Sequence, residues 1–179
     1  MSVEDGKAFL AESEVSWRQI TSPTGYCENW VRNLSSAFSA QVKKQFSIEW
    51  SELPGAALRE RPFEVDMLRV PPGKRAWPRH YHSVQWEYYI VLSGEGEMLQ
   101  ADGEPPIPMA PGMHILQPPG WIHTMVNTGD EDLVYYVIAD NHDDEHCYYP
   151  DSNKWAAGNM VFRPHEVDYW DGEDGPGPA

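Results

Sequence analysis

Two cysteines, Cys27 and Cys147, are all the chain contains, so it cannot be a disulfide-built scaffold. Positive charge is scarce as well. Thirteen Lys and Arg stand against 28 Asp and Glu, a formal net charge of −15. A nucleic-acid or anionic-membrane partner needs clustered positive charge, and the sequence offers none. Long apolar runs are missing too. The longest, YYIVL at 88–92 and LVYYVIA at 133–139, fall far short of the ~20 residues of a bilayer-spanning helix. The opening MSVEDGKAFL is acidic and lacks the apolar core of a signal peptide. Two widely spaced cysteines without an export signal read as free thiols, and a cytoplasmic location is the expectation.

The chain does have the composition of one globular domain. Hydrophobic residues make up 41% of the 179 and charged residues 23%, which is not the balance of a disordered chain. Its 16 prolines and 14 glycines fall mostly after Pro54 and chop the sequence into short pieces. Between them lie β-forming runs: FEVDMLRV (63–70), WEYYIVL (86–92), EGEMLQA (95–101), HILQ (114–117), HTMVN (123–127) and DLVYYVIA (132–139). Short strands at near-regular spacing with turns between them predict an all-β sandwich or small barrel. WEYYIVL and LVYYVIA are apolar on both faces, so both faces need cover. The N-terminal segment and a second subunit are the two candidates.

The first 50 residues are less regular. Trp30, Leu34, Phe38, Val42 and Phe46 recur every four residues, which fits a helix stripe and equally a strand face. We expect an irregular extension with helix at 3–11 and 34–45 and a strand at FSIEW (46–50). The segment 141–170 carries docking aromatics, and DGEDGPGPA from 171 reads as an acidic tail.

The chemistry concentrates in three of seven histidines. His80 and His82 are separated by one residue, so on a strand both rings share a face, about 7 Å apart. A turn through SVQW can bring Glu87 to the same interior, and His123 opens another short strand after a PPG turn. Three imidazoles and a carboxylate suit Fe, Mn, Ni, Co or Zn better than Ca or Mg. The competing reading is a polar cavity whose histidines are only hydrogen-bonded. His114, His142, His146 and His165 read as surface or packing residues. Tyr89 shares parity with Glu87, and Met125 and Trp121 with His123, so these three are candidate substrate-binding residues lining the cavity. Arg79 has the opposite parity to His80 and should point away.

The segment His80-x-His82-x4-Glu87-x6-Gly94 resembles the first motif of the cupin superfamily, and Gly112-x5-Pro118-x-Gly120-x2-His123-x3-Asn127 resembles the second. Seventeen residues lie between Gly94 and Gly112, as in compact microbial cupins. One departure is Gly73, seven positions before His80 instead of six. The stretch CYYPDSNKW (147–155) more weakly resembles a bacterial subgroup with YPD after the barrel. The resemblance implies a double-stranded β-helix, a jelly-roll cupin barrel, with one divalent transition metal ion on His80, His82, Glu87 and His123. It divides the chain into an extension packing on the barrel (1–62), a barrel core (63–140), and a docking segment with acidic tail (141–179).

A metal-dependent enzyme on a small molecule follows as the functional expectation, an oxidoreductase or an isomerase. Dioxygenase-like oxidation is slightly favoured and sugar or sugar-phosphate isomerisation comes next. The alternative is a non-catalytic small-molecule-binding cupin. If Glu87 faces the metal, then Tyr88, Ile90 and Leu92 face outward, and a homodimer is the expected assembly.

Overall fold

Most of the apolar runs end near a Pro or Gly, and in the computed structural model, which describes residues 10–38, 40 and 63–172, the runs become strands. In chain order these are β1 (Arg18–Thr21), β2 (Glu28–Asn33), β3 (Phe63–Val70), the two-residue β4 (Tyr81–His82), β5 (Glu87–Ser93), β6 (Gly96–Leu99), β7 (Ile107–Met109), β8 (His114–Gln117), β9 (Thr124–Asn127), β10 (Leu133–Asp140), β11 (His146–Tyr149), β12 (Lys154–Ala157) and β13 (Met160–Phe162). Among the described residues no helix is long and apolar enough to cross a membrane.

A six-stranded sheet runs β1-β2-β3-β10-β5-β8. Opposite it lies β7-β6-β9, widened by residues 74–80, which bridge β9 at Arg75–Val126 and its approach at His80–His123. These two antiparallel layers form the expected all-β double-stranded β-helix. A four-stranded sheet, β13-β12-β11-β4, is appended at the end that carries the histidines. Tyr89, Tyr135, Met98, Met109, Met125 and Leu133 are fully buried between the layers. Each contributes about 1.5–3 kcal/mol by leaving water. Exposed ion pairs such as Arg69–Asp132 contribute about 0–1 kcal/mol, so the inter-layer core holds the barrel together.

Strand parity follows the sequence pattern. Tyr89 and Val91 are buried, while Tyr88 and Leu92 on the same strand and Leu116 on β8 are exposed at 38, 40 and 56%. Part of that outer face has its cover. Leu10, Leu34 and Phe38 lie against Tyr136 and Ile138, and the Tyr136 hydroxyl donates to Glu12.

The extension differs from expectation. It supplies two regular strands, with β2 pairing β3 from Trp30–Arg69 to Asn33–Asp66. The four-residue apolar spacing misled because it crosses a boundary: Trp30 belongs to β2, whereas residues 34–38 are helical. Asn33 starts that helical turn, its Oδ1 accepting from Ser36 N at 2.6 Å. The outer side of β2 is held by cations on indoles, Arg69 over Trp30 at 4.9 Å and Arg32 over Trp17 at 4.4 Å. Residues 10 and 11 are not helical. The rest of the expected 3–11 helix, the end of the 34–45 helix, the FSIEW strand and the tail from 173 lie outside the described residues.

Of the C-terminal aromatics, Phe162 and Trp170 are exposed, whereas Tyr148 and Trp155 pack against other rings. Tyr148 pairs with Tyr81 across β11 and β4, and Trp155 closes on Tyr148 with ring centroids 4.7 Å apart.

Two glycines with positive φ differ in what surrounds them. A Cβ on Gly94 (φ +75°) would sit 2.3 Å from the Asp132 carbonyl oxygen, whereas one on Gly73 (φ +71°) meets nothing within 4 Å. Gly73→Ala should therefore cost only the backbone penalty, about 1 kcal/mol. Gly94→Ala adds a backbone clash and should cost about 3 kcal/mol or more. Thermal melts should rank the midpoints wild type, Gly73→Ala, Gly94→Ala, the last about 6–12 °C below wild type.

Candidate metal centre

His80 and His123 are placed by the seam between the 74–80 segment and the approach to β9. Two backbone hydrogen bonds join them, His80 N to His123 O at 3.0 Å and His123 N to His80 O at 2.8 Å. His82 comes from β4 and Glu87 from the first position of β5. The turn through SVQW does return Glu87 to the face shared by the histidines.

Each imidazole has one nitrogen occupied behind it. His80 Nδ1 lies 2.8 Å from the Pro78 carbonyl, His123 Nδ1 3.1 Å from the Trp121 carbonyl, and His82 Nδ1 3.0 Å from Glu145 Oε1. All three partners are acceptors, which favours the tautomer with the proton on Nδ1 and the lone pair on Nε2. One ring nitrogen from each histidine lies within 4.8 Å of the other two. Glu87 Oε2 stands 3.0 Å from His123 Nε2 and 3.6 Å from His82 Nε2. That oxygen is buried and has no hydrogen-bond donor among the described residues. The Tyr89 hydroxyl lies 3.2 Å from His123 Nε2.

Four acceptors converging on one point, one of them an orphaned carboxylate oxygen, have the chemistry of a cation site. His80, His82, Glu87 and His123 therefore fit a divalent transition ion.

Burial and the neighbouring rings of His123 and His82 hold His80 down at about 3, so it stays neutral at physiological pH. Burial alone would raise Glu87, but the three imidazoles outweigh it and hold the carboxyl at about 2. For His82 burial acts downward, yet the carboxylates of Glu145 and Glu87 leave it raised.

The group lies at a cavity of about 280 Å³, lined also by Glu64, Asp66, Gln85, Tyr89, Cys147 and Tyr149, with Leu68, Met125 and Val137 as apolar wall. The Tyr149 ring stacks on His80, centroids 5.8 Å apart. Burial pushes the Cys147 thiol up to about 12, which keeps it protonated.

Of the three proposed substrate contacts, Tyr89 and Met125 line this cavity. Trp121 does not. It is 57% exposed and borders a separate surface depression with Gln100, Glu104 and Ile122. The parity argument fails there because β9 begins only at Thr124, and Trp121 sits in a turn closed by its N–H to the Pro118 carbonyl. Arg79 points away from the imidazoles, into Asp102 and Asp151. Asn127 of the second motif is structural, donating from Nδ2 to the carbonyls of Val70 and Glu131, both at 2.7 Å. Glu64, Asp66, Glu145, Cys147 and Tyr149 escaped the sequence reading. All lie outside the two motifs, and Glu145 reaches His82 across 63 residues.

Residues 66–139 match the family model of the cupin domain. The barrel and its histidine group fall within that match, and residues 66–139 are a cupin domain. The glucose-6-phosphate isomerase of Pyrococcus abyssi is 45% identical to it over 64 residues, 33% of this chain and 34% of that one. The Pyrococcus horikoshii glucose-6-phosphate isomerase is 44% identical over the same length. The alignments thus span about a third of the length of these curated relatives. Among solved structures, a cupin-superfamily sugar phosphate isomerase from Silicibacter pomeroyi superposes with a TM-score of 0.64 at 21% identity, covering 87% of this chain and 92% of its own. The polyketide cyclase RemF from Streptomyces resistomycificus gives 0.54 at 18%, covering 75 and 80%. At such identities the likeness is one of fold, and the two functions differ.

The depressed values set a pH dependence for metal-free protein. His80 drops from an ordinary 6.5 to about 3 and Glu87 from 4.5 to about 2, so the unfolded chain takes up protons first as pH falls. Their stability is present above pH 6.5 and is lost progressively towards pH 2–3. The raised His82 has the opposite sign, stabilising below pH 6.5 and fading above its folded value. Thermal midpoints from pH 7 to 3.5 should fall, and His80→Gln should flatten that fall. An unchanged slope in His80→Gln would show that His80 is not held neutral.

Proposed function

We propose that this cupin is a metal-dependent enzyme acting on a small hydroxylated carbonyl compound, with aldose–ketose isomerisation as its reaction. The observation that carries the reading is the convergence of three imidazole nitrogens and the Glu87 carboxylate at a cavity whose other polar lining is carboxylates, phenols and an amide. A lining of this chemistry, with the Tyr149 phenol, the Gln85 amide and the Glu87 carboxylate, suits the hydroxyls of a polyol. The glucose-6-phosphate isomerase relatives add weight to isomerisation over oxidation. Among the described residues no Arg or Lys lines the cavity, which supports a substrate without a phosphate.

A divalent ion bound here supplies a Lewis acid that polarises a carbonyl or hydroxyl oxygen. The chain's own residues do the rest. Glu87 brings negative charge beside the imidazoles. Tyr89, buried and held far above its ordinary value by that burial and by Glu87, keeps its proton and serves as a fixed donor. Leu68, Met125 and Val137 exclude water, and Tyr149 forms a wall over His80.

Elemental analysis of tag-free protein should find about one transition metal ion per chain, and His82→Ala should lose most of it. Metal-loaded protein should interconvert neutral aldoses and ketoses and accept the 6-phosphates more poorly. Substrate-dependent oxygen consumption without isomerisation would replace this reading with dioxygenase chemistry. Binding without any turnover would leave a ligand-binding cupin.

The assembly proposed is a homodimer. Tyr88, Leu92 and Leu116 remain exposed on the outer face of the large sheet beyond Leu10, Leu34 and Phe38, and a twofold-related copy would cover them. Light scattering at micromolar concentration should give about twice the 20.4 kDa chain mass. A mass equal to one chain would refute the dimer.

A further inference from the structure

Glu145 lies in the loop after β10, beyond both motifs, and its two carboxylate oxygens make five hydrogen-bond contacts. Its Oε1 lies 3.0 Å from His82 Nδ1 and accepts from Ser83 N at 3.2 Å. Its Oε2 accepts from Val84 N at 3.1 Å, from Gln85 N at 2.9 Å and from the Ser83 hydroxyl at 3.5 Å. Residues 83–85 lie between two proposed ligands, His82 and Glu87. One carboxylate therefore collects three successive backbone N–H groups of the connecting turn and the rear nitrogen of the imidazole before it. Neighbouring contacts reinforce the turn. Ser83 Oγ accepts from His146 N at 2.8 Å, Trp86 N donates to Asp140 Oδ1 at 2.7 Å, and Gln85 Nε2 donates to the Asp140 carbonyl at 2.7 Å.

We infer that Glu145 is a positioning residue for the metal centre, fixing His82 as the Nδ1–H tautomer and setting the turn that spaces His82 from Glu87. The inference rests on His82 being a ligand, as proposed above. The other two imidazoles are oriented by carbonyls of residues two positions before them, Pro78 and Trp121, which no side-chain substitution removes. His82 alone depends on a side chain from a distant element. Its rear partner is also the only charged one of the three, and a carboxylate behind an imidazole fixes the ring and raises its basicity as a ligand. Without Glu145 the ring can flip or change tautomer, and three turn N–H groups lose their acceptor.

The decisive measurement is made first on metal-free full-length protein, with ¹⁵N-labelled histidine. Wild-type His82 should show the Nδ1–H tautomer. Glu145→Ala should show a mixture of tautomers, and Glu145→Gln, whose amide oxygen can still accept, should recover part of the preference. Titration with Zn²⁺ should then give dissociation constants about 10–100-fold weaker for Glu145→Ala, with Glu145→Gln between it and wild type. An unchanged His82 tautomer in the variants, together with Zn²⁺ affinity within twofold of wild type, overturns the inference. If Glu145→Ala does not fold, Glu145→Gln decides alone. A loss of about tenfold or more supports the role, and wild-type affinity removes it. His82→Ala separates the two levels of argument. Wild-type Zn²⁺ affinity in His82→Ala brings down the metal assignment itself. Lost affinity there, beside undisturbed Glu145 variants, brings down only the positioning role.

Discussion

Acceptors do not gather by attraction. Three imidazole lone pairs and a carboxylate oxygen repel one another, and water can serve such a group only by offering more donors than the cavity has room for. The barrel forces them together all the same. His80 and His123 are locked in register by a reciprocal pair of backbone hydrogen bonds, and Glu87 is fixed by its place opposite Ala139 and Gln117 in the large sheet. The energy that holds this arrangement comes from elsewhere, from the buried Tyr, Met and Leu side chains between the layers. The fold thus spends part of its core stability on an electrostatic defect that a divalent cation would relieve.

Much of the barrel was legible because its strands are short runs of β-formers set between turns rich in Pro and Gly. FEVDMLRV and HILQ match β3 and β8 residue for residue, and the β5, β9 and β10 segments shift by about one position. The four convergent side chains were legible because they lie within the two motif segments, on strands or turns whose geometry the spacing constrains. Trp121 was misplaced because alternation holds only inside a strand, and residue 121 belongs to a turn. β1 and β2 were missed because RQIT is largely exposed and ENWVRN is polar at its first two and last two positions, so neither presents an apolar signal. Their stability comes from the β1-β2-β3 pairing and from guanidinium groups lying over indoles, neither of which a hydrophobic pattern reports. Glu145 was invisible for another reason: nothing local distinguishes it from the other acidic residues of NHDDEH, and its role appears only when β11 folds back beside β4.

A similar barrel belongs to a sugar phosphate isomerase in one case and to a polyketide cyclase in another. The barrel supplies a place to put a cation, and the wall supplies the selectivity. In this chain the described wall is acidic and phenolic, in keeping with a net charge of −15.

The placement of His82 has a temporal side. His80 and His123 belong to the seam of the barrel, but β4, which carries His82, has β11 as its strand neighbour at the edge of the appended sheet. During synthesis from the N-terminus, residues 63–140 are complete before 146–149 leave the ribosome. The barrel layers can close then, with two imidazoles in register and a third still unpaired. The pairing of His82 with Cys147 spans 65 positions and is among the later long-range contacts to form. Assembly of the site is therefore coupled to the strands that follow the barrel: until β11 docks, β4 lacks its strand partner, and an ion held by all four side chains would have to await that pairing.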